Sequence, residues 1–234
     1  MEKPKVRISV RNLVEFILRS GDLDNSRGSS GDKEAMLKGG RLHRKIQRSM
    51  KGNYQAEVSL KRESEYEDTI IQVEGRADGI FTEDGEVWID EIKGTYRDLS
   101  RMEAPVEVHL AQAKCYAYIY GQQHGQMRMG VRMIYADLET EELRYFEETY
   151  TMEELSGWFR DLMAEYGKWV SFESLWQERR AESLKKLIFP FDYREGQKDL
   201  AVSVYRTIAR KKRLFIQAPT GVGKTLSVLF PALK

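Results

Sequence analysis

Two strand-length apolar runs dominate the first half of this chain, residues 73–81 and 87–93, with a short polar turn between them. Side chains alternate faces along a strand, so Glu91 and Lys93 share one face while Ile92 points into the opposite layer. The pattern predicts that Asp78 ends the first run at a Gly-flanked turn and that Glu91 ends the second. Antiparallel pairing would then bring both carboxylates to one rim of a sheet, with the Lys93 ammonium alongside. Two hard oxygen ligands at such a rim suit magnesium or manganese.

At 234 residues, the chain has room for one good-sized domain and part of another. Its charge is high but balanced at a formal +1, so affinity for nucleic acid would have to come from local clusters. Arg179-Arg180, Lys185-Lys186 and Lys211-Lys212-Arg213 are such clusters, although each also reads as an ordinary solvated face. A single cysteine, Cys115, excludes an internal disulfide and a cysteine-ligated zinc or iron-sulfur site within this chain. A reducing cytoplasmic setting follows as the expectation, since no apolar stretch reads as a secretion signal or membrane span.

Ser9 is positioned to cap a helix carrying Val10, Leu13, Val14, Ile17 and Leu18 at helical spacing. A polar loop over 24–32 precedes a second helix, 33–50, interrupted by Gly39-Gly40 and carrying His43. Strands are expected at 54–61, 69–81 and 86–93, a helix from Pro105 to about Tyr120, and further strands at 127–138 and 143–150. Thr151-Met152-Glu153-Glu154 has the capping-box pattern and opens a long helix with Leu155, Trp158, Phe159, Leu162 and Tyr166 on one face. The order predicts an α/β fold, a mixed sheet flanked by helices, over residues 1–180, with a different module over 181–234.

An acid followed at a distance by Glu-x-Lys is common in so charged a chain, and a surface hairpin with solvated side chains would explain it equally well. His43 on the preceding helix and Gln112 with Tyr116, four apart on the following one, add to the pattern. The succession His43, Gly75-Arg76-Ala77-Asp78, Asp90-Glu91-Ile92-Lys93 and Gln112-Ala113-Lys114-Cys115-Tyr116 resembles the nuclease domain of the RecB family, within the PD-(D/E)xK superfamily. That resemblance implies a restriction-endonuclease-like sheet. It also implies a metal held by His43, Asp78, Glu91 and the backbone carbonyl of Ile92, with Lys93 orienting or helping to deprotonate water. Gln112 and Tyr116 would hold DNA or brace the site. The iron-sulfur cluster of many relatives is excluded here for lack of cysteines.

A second signature lies near the other end. Residues 213–217 read as a short apolar strand leading into Ala218-Pro219-Thr220-Gly221-Val222-Gly223-Lys224-Thr225 and a helical start. This is a P-loop: glycines let backbone N–H groups wrap phosphates, Lys224 reaches the terminal ones and Thr225 supplies an oxygen to magnesium. Upstream, Phe189-Pro190-Phe191 with Arg194 and Gln197 resembles the adenine-reading Q-motif of superfamily 2 helicases of the DinG and XPD branch. The resemblance implies the beginning of a RecA-like domain, with Gln197, Thr220, Gly221, Gly223, Lys224 and Thr225 binding ATP. Alternatively, Phe189 and Phe191 simply staple the helix in place.

Hydrolysis of ATP also needs an acidic magnesium ligand and a residue that positions water, and no such motif follows in this sequence. The expectation is therefore a metal-dependent DNA nuclease joined to the front of a DNA helicase motor, acting on DNA with single-stranded character and unable to hydrolyse ATP alone. The competing expectation is a front domain that grips DNA without cutting it.

Overall fold

The computed structural model describes residues 3–19 and 33–234, with side chains from residue 37 in the second stretch. The loop expected at 24–32 lies outside the described residues. Two compact units divide the chain, Met1–Val170 and Ser171–Lys234.

The first unit is an α/β layer built on one sheet of six strands, β1 (Lys5–Ser9), β2 (Gln55–Tyr66), β3 (Thr69–Glu83), β4 (Glu86–Thr95), β5 (Arg128–Asp137) and β6 (Leu143–Thr151). Sequence patterning found the last five; β1 went unread because Lys5 and Arg7 interrupt its apolar positions. Its helices are α1 (Val10–Ile17), α2 (Lys33–Ser49), α3 (Glu107–His124) and the front of α4 (Met152–Lys186). The expected caps form: Ser9 Oγ accepts from the Asn12 N–H at 3.1 Å, and Thr151 and Glu154 exchange the reciprocal bonds of a capping box. Helix α2 runs unbroken through Gly39-Gly40.

Strand β3 organises the sheet. One of its edges pairs antiparallel with β2 along almost its whole length. Its other edge is shared, with β1 parallel over 70–74 and β4 antiparallel over 79–83. The sheet therefore forks beside residues 75–78, and β4 leaves β3 after Asp90 to pair in parallel with β5 over 88–95.

Helices α1, α3 and the front of α4 cover one face, where Leu13, Ile71, Val73, Ile89, Ile119, Met133, Leu155 and Phe159 form the main core. Each such fully buried aliphatic side chain contributes about 1.5–3 kcal/mol. Helix α2 covers the other face through Leu42 and Ile46, which pack on Ile92, Ile134 and Ala136. Ile92 thus points away from the layer that Glu91 and Lys93 face, as alternation requires.

Two expectations about strand ends are corrected. Asp78 is interior to β3 and Glu91 interior to β4, because the chain reverses at Asp84-Gly85, where both residues take positive φ. Both strands run further than their apolar patterns because the sheet, and not the sequence periodicity, decides where pairing stops.

In the second unit α5 (Gln197–Ala209) and α6 (Lys224–Leu233) pack together, with Ala201, Val204, Ser227 and Pro231 buried. The strand expected over 213–217 does not form. A strand needs a partner for its N–H and C=O groups, and the described residues of this unit supply none. Phe215 is accordingly 94% exposed.

Candidate active site

The fork in the sheet lets side chains from both helical layers meet. From the α2 layer, His43 reaches Asp78, its Nε2 lying 3.1 Å from Asp78 Oδ1. The other carboxylate oxygen, Oδ2, accepts the Ile92 N–H at 2.7 Å, so a side chain stands in for the ladder bond lost where β3 and β4 part. Gln47, one turn beyond His43, donates to the Asp78 carbonyl at 2.8 Å.

From the α3 layer come the partners of Lys93. Its Nζ lies 2.7 Å from Glu91 Oε1 and donates to Gln112 Oε1 at 3.1 Å. Tyr116 is buried one turn beyond Gln112 on the same face of α3. Gly75 makes room for that ring, since a Cβ there would stand 2.7 Å from the Tyr116 hydroxyl. His43, Asp78, Glu91, Ile92, Lys93, Gln112 and Tyr116, scattered over more than seventy residues of sequence, thus belong to one connected neighbourhood around the fork.

The electrostatics are those of a site short of positive charge. Glu91 is 1% exposed, and its Oε2 has no hydrogen-bond partner. Burial pushes its carboxyl up to about 8, the Asp78 charge adding to the rise and Lys93 opposing it. His43 is also raised, chiefly by its bond to Asp78. Burial, with a smaller push from the Glu91 charge, raises Tyr116 and keeps it a neutral phenol. A carboxyl held as high as that of Glu91 is largely protonated at neutral pH, and a cation bound beside it would favour its ionised form. Imidazole and carboxylate oxygens are the donor set that manganese accepts, and magnesium through the oxygens alone.

Glu57 escaped the sequence reading. It sits in β2 directly across from Asp78, at the one place where the β2 and β3 ladder is interrupted between otherwise in-register pairs. His43, Glu57 and Asp78 each place a ligand atom within 4.8 Å of the others, a group that Glu91 does not join. In the sequence Glu57 is one polar residue in an alternating strand, and only the β2 to β3 register reveals where it faces.

In the second unit, Gly221 and Gly223 take φ of +86° and +77°, which side-chain-bearing residues rarely adopt, and α6 begins at Lys224 immediately after. The Lys224 ammonium folds back on its own loop, donating to the Ala218 and Pro219 carbonyls at 2.8 and 2.7 Å. Gln197 is buried, accepts the Arg194 N–H at 3.0 Å and donates to the Gly223 carbonyl at 3.3 Å, and the Arg194 guanidinium donates to the Gly221 carbonyl. An open cavity of about 740 Å³ is lined by Arg194, Gln197, Leu200, Ile216 and loop residues including Thr220 and Gly221. Its volume suits a nucleotide-sized ligand.

Together these features define an α/β protein with an acid, histidine and lysine cluster at a forked sheet and a separate glycine loop opening a helix. No family model matches the chain. It is similar to the protein named "Probable ATP-dependent helicase MJ0942" of Methanocaldococcus jannaschii, with 50% identity over 46 residues, 19% of this chain and 7% of that protein. The chain thus spans a small fraction of that relative's length. The crystal structure of SSO0001 is similar at 20% identity and a TM-score of 0.43, over 68% of this chain and 75% of that one. Among the described residues, no helix is long and apolar enough to cross a membrane.

Proposed function

We propose that the first unit is a restriction-endonuclease-like, metal-dependent DNA nuclease of RecB type, and that the second is the beginning of a RecA-like helicase motor of DinG or XPD type. The observation that carries the nuclease reading is the Glu91 carboxyl, buried, with one oxygen on Lys93 and the other without a hydrogen-bond partner. The glycine-loop geometry and the 46-residue similarity to a helicase-named protein support the motor reading.

Asp78, Glu91, His43 and the Ile92 carbonyl would hold magnesium or manganese. When bound, the divalent cation polarises a phosphate oxygen and lowers the pKa of water. Lys93, fixed by Glu91 and Gln112, presents an ammonium where negative charge builds on the phosphorus oxygens during in-line attack, and can orient the attacking water. Gln112 holds Lys93 in place, and Tyr116, buried one turn further along α3, would brace that side of the site. In the second unit the Lys224 ammonium would exchange two loop carbonyls for nucleotide phosphates, with Thr225 on magnesium and Gln197 at the adenine edge.

The test is cleavage of end-labelled single-stranded DNA by the whole chain with magnesium or manganese and no ATP. Asp78→Ala and Lys93→Ala are expected to lower the rate at least about a thousandfold without unfolding the protein, while Lys224→Ala leaves it unchanged. DNA binding without cleavage by the unaltered chain would instead identify a gripping module. Full activity in both Asp78→Ala and Lys93→Ala would remove the proposed site.

A further inference from the structure

Beyond the ligands that the Asp78 and Glu91-x-Lys93 pattern assigns, we propose that Glu57 is a ligand of the same divalent cation as Asp78, contributed by the strand on the far side of β3. The inference rests on the nuclease reading of this site.

Three features carry it. The first is position: Glu57 and Asp78 face each other across β2 and β3 at the single interruption of their ladder, and with His43 they form a group of ligand atoms within 4.8 Å. The second is backbone: Glu57 has φ +58°, a conformation that costs a side-chain-bearing L-residue about 1–2 kcal/mol. The third is the buried Oε2 of Glu91, which has no hydrogen-bond partner and belongs to the residue just before Ile92, whose N–H the Asp78 carboxylate accepts.

Existing cations do not fill this role. The Arg76 Nε lies 2.5 Å from Glu57 Oε2, but its side chain is 65% exposed and sits on the solvent side of the pair. His43 Nδ1 is 3.7 Å from Glu57 Oε1, beyond hydrogen-bond range, and Gln47 Nε2 donates to that same oxygen at 3.0 Å. Glu57 is thus held at the rim of the cluster by one exposed arginine and one amide, partners that a divalent ion outcompetes.

The direct readout is manganese binding, followed by the loss of the free-ion electron paramagnetic resonance signal on titrating the whole chain. Glu57→Gln is expected to weaken binding at least about tenfold, as Asp78→Asn does, whereas Arg76→Gln leaves binding unchanged or two- to threefold tighter by freeing Glu57. Glu57→Asn guards against a trivial folding effect. Asparagine tolerates positive φ, so this variant should melt no lower than the unaltered chain while still losing affinity. Unaltered affinity in Glu57→Gln and Glu57→Asn beside a loss in Asp78→Asn would overturn the role of Glu57 and leave the metal centre standing. Unaltered affinity in all three, Asp78→Asn included, would overturn both readings.

Discussion

The two units hold their lysines in opposite ways. Lys93 is fixed by side chains from its own strand and from α3, Glu91 and Gln112, within a sheet closed on both faces. Lys224 rests on carbonyls of its own loop, five and six residues away in sequence, beside a segment that has no strand to lie against. One arrangement exists only after distant elements have met, and the other is almost entirely local. Long-range sites inherit the stability of their core, whereas a local loop can form on a unit in which no described residue belongs to a strand. Perturbations of the sheet should therefore damage the first site and spare the second.

The sharpest way to break that contrast is through Asp90 and Arg132. Asp90 is fully buried, and the Arg132 guanidinium holds both its oxygens, Nε to Oδ1 at 2.7 Å and Nη2 to Oδ2 at 2.9 Å. The guanidinium also lies 4.2 Å from the centre of the Phe81 ring. Arg132→Ala strands a buried carboxylate one residue before Glu91, and should cost about 3–5 kcal/mol by urea denaturation. Burial already raises the Asp90 carboxyl, so the stranded group can escape by taking up a proton, and the loss should be smaller at pH 5 than at pH 8. The same variant should bind ATP analogues no differently from the unaltered chain. A parallel loss of nucleotide binding would show that the two units do not behave independently.

What could be read from sequence follows the same division. The P-loop was legible because its chemistry is local: Gly221, Gly223 and Lys224 carry their instructions within a few residues. The strands β2 to β6 and the Ser9 and Thr151 caps were legible from period and cap chemistry. Asp78, Glu91 and Lys93 were candidates through alternation, but the fork that lets His43 approach from α2 and Gln112 from α3 depends on β1 and β4 sharing one edge of β3. No periodicity encodes such sharing. Glu57 illustrates the limit, since its neighbours Gln55 and Ser59 are just as polar and only pairing with β3 sets it apart. The failed strand at 213–217 is the converse case, an apolar pattern without a partner to realise it.

A smaller effect should separate the interior of the first unit by pH. His109 is packed against Tyr135, whose hydroxyl accepts the Val106 N–H at 2.9 Å and is hydrogen-bonded to His109 Nδ1 at 3.0 Å. Burial, with the charges of Lys93, Arg11 and Arg97 against the opposing one of Glu15, lowers this imidazole to about 4. The folded pKa lies below the ordinary value near 6.5, so the unfolded chain takes up a proton that the folded one refuses. The contribution is fully present above pH 6.5 and is lost as pH falls through about 4. His109→Gln, whose amide can donate to or accept from the Tyr135 hydroxyl, should flatten the fall in urea midpoint between pH 6.5 and 4. An unchanged slope would assign the acid sensitivity to carboxylates alone.

The smallest expected effect lies in the second unit and tests the other side of the contrast. Phe215 is 94% exposed, while its neighbours Leu214 and Ile216 are about 40% exposed, so the Phe215 ring packs against almost nothing. Replacing an exposed side chain that makes no cap, pair or core contact usually shifts stability by no more than about 0.5 kcal/mol. Phe215→Ser should therefore leave both the urea midpoint and nucleotide binding of this chain unchanged within that margin. Had the segment been a covered strand, removing the ring would cost about 3–5 kcal/mol. A loss of that size, measured on the chain as it stands, would mean that residues 213–217 find a partner in solution. The second unit would then be as dependent on long-range pairing as the first.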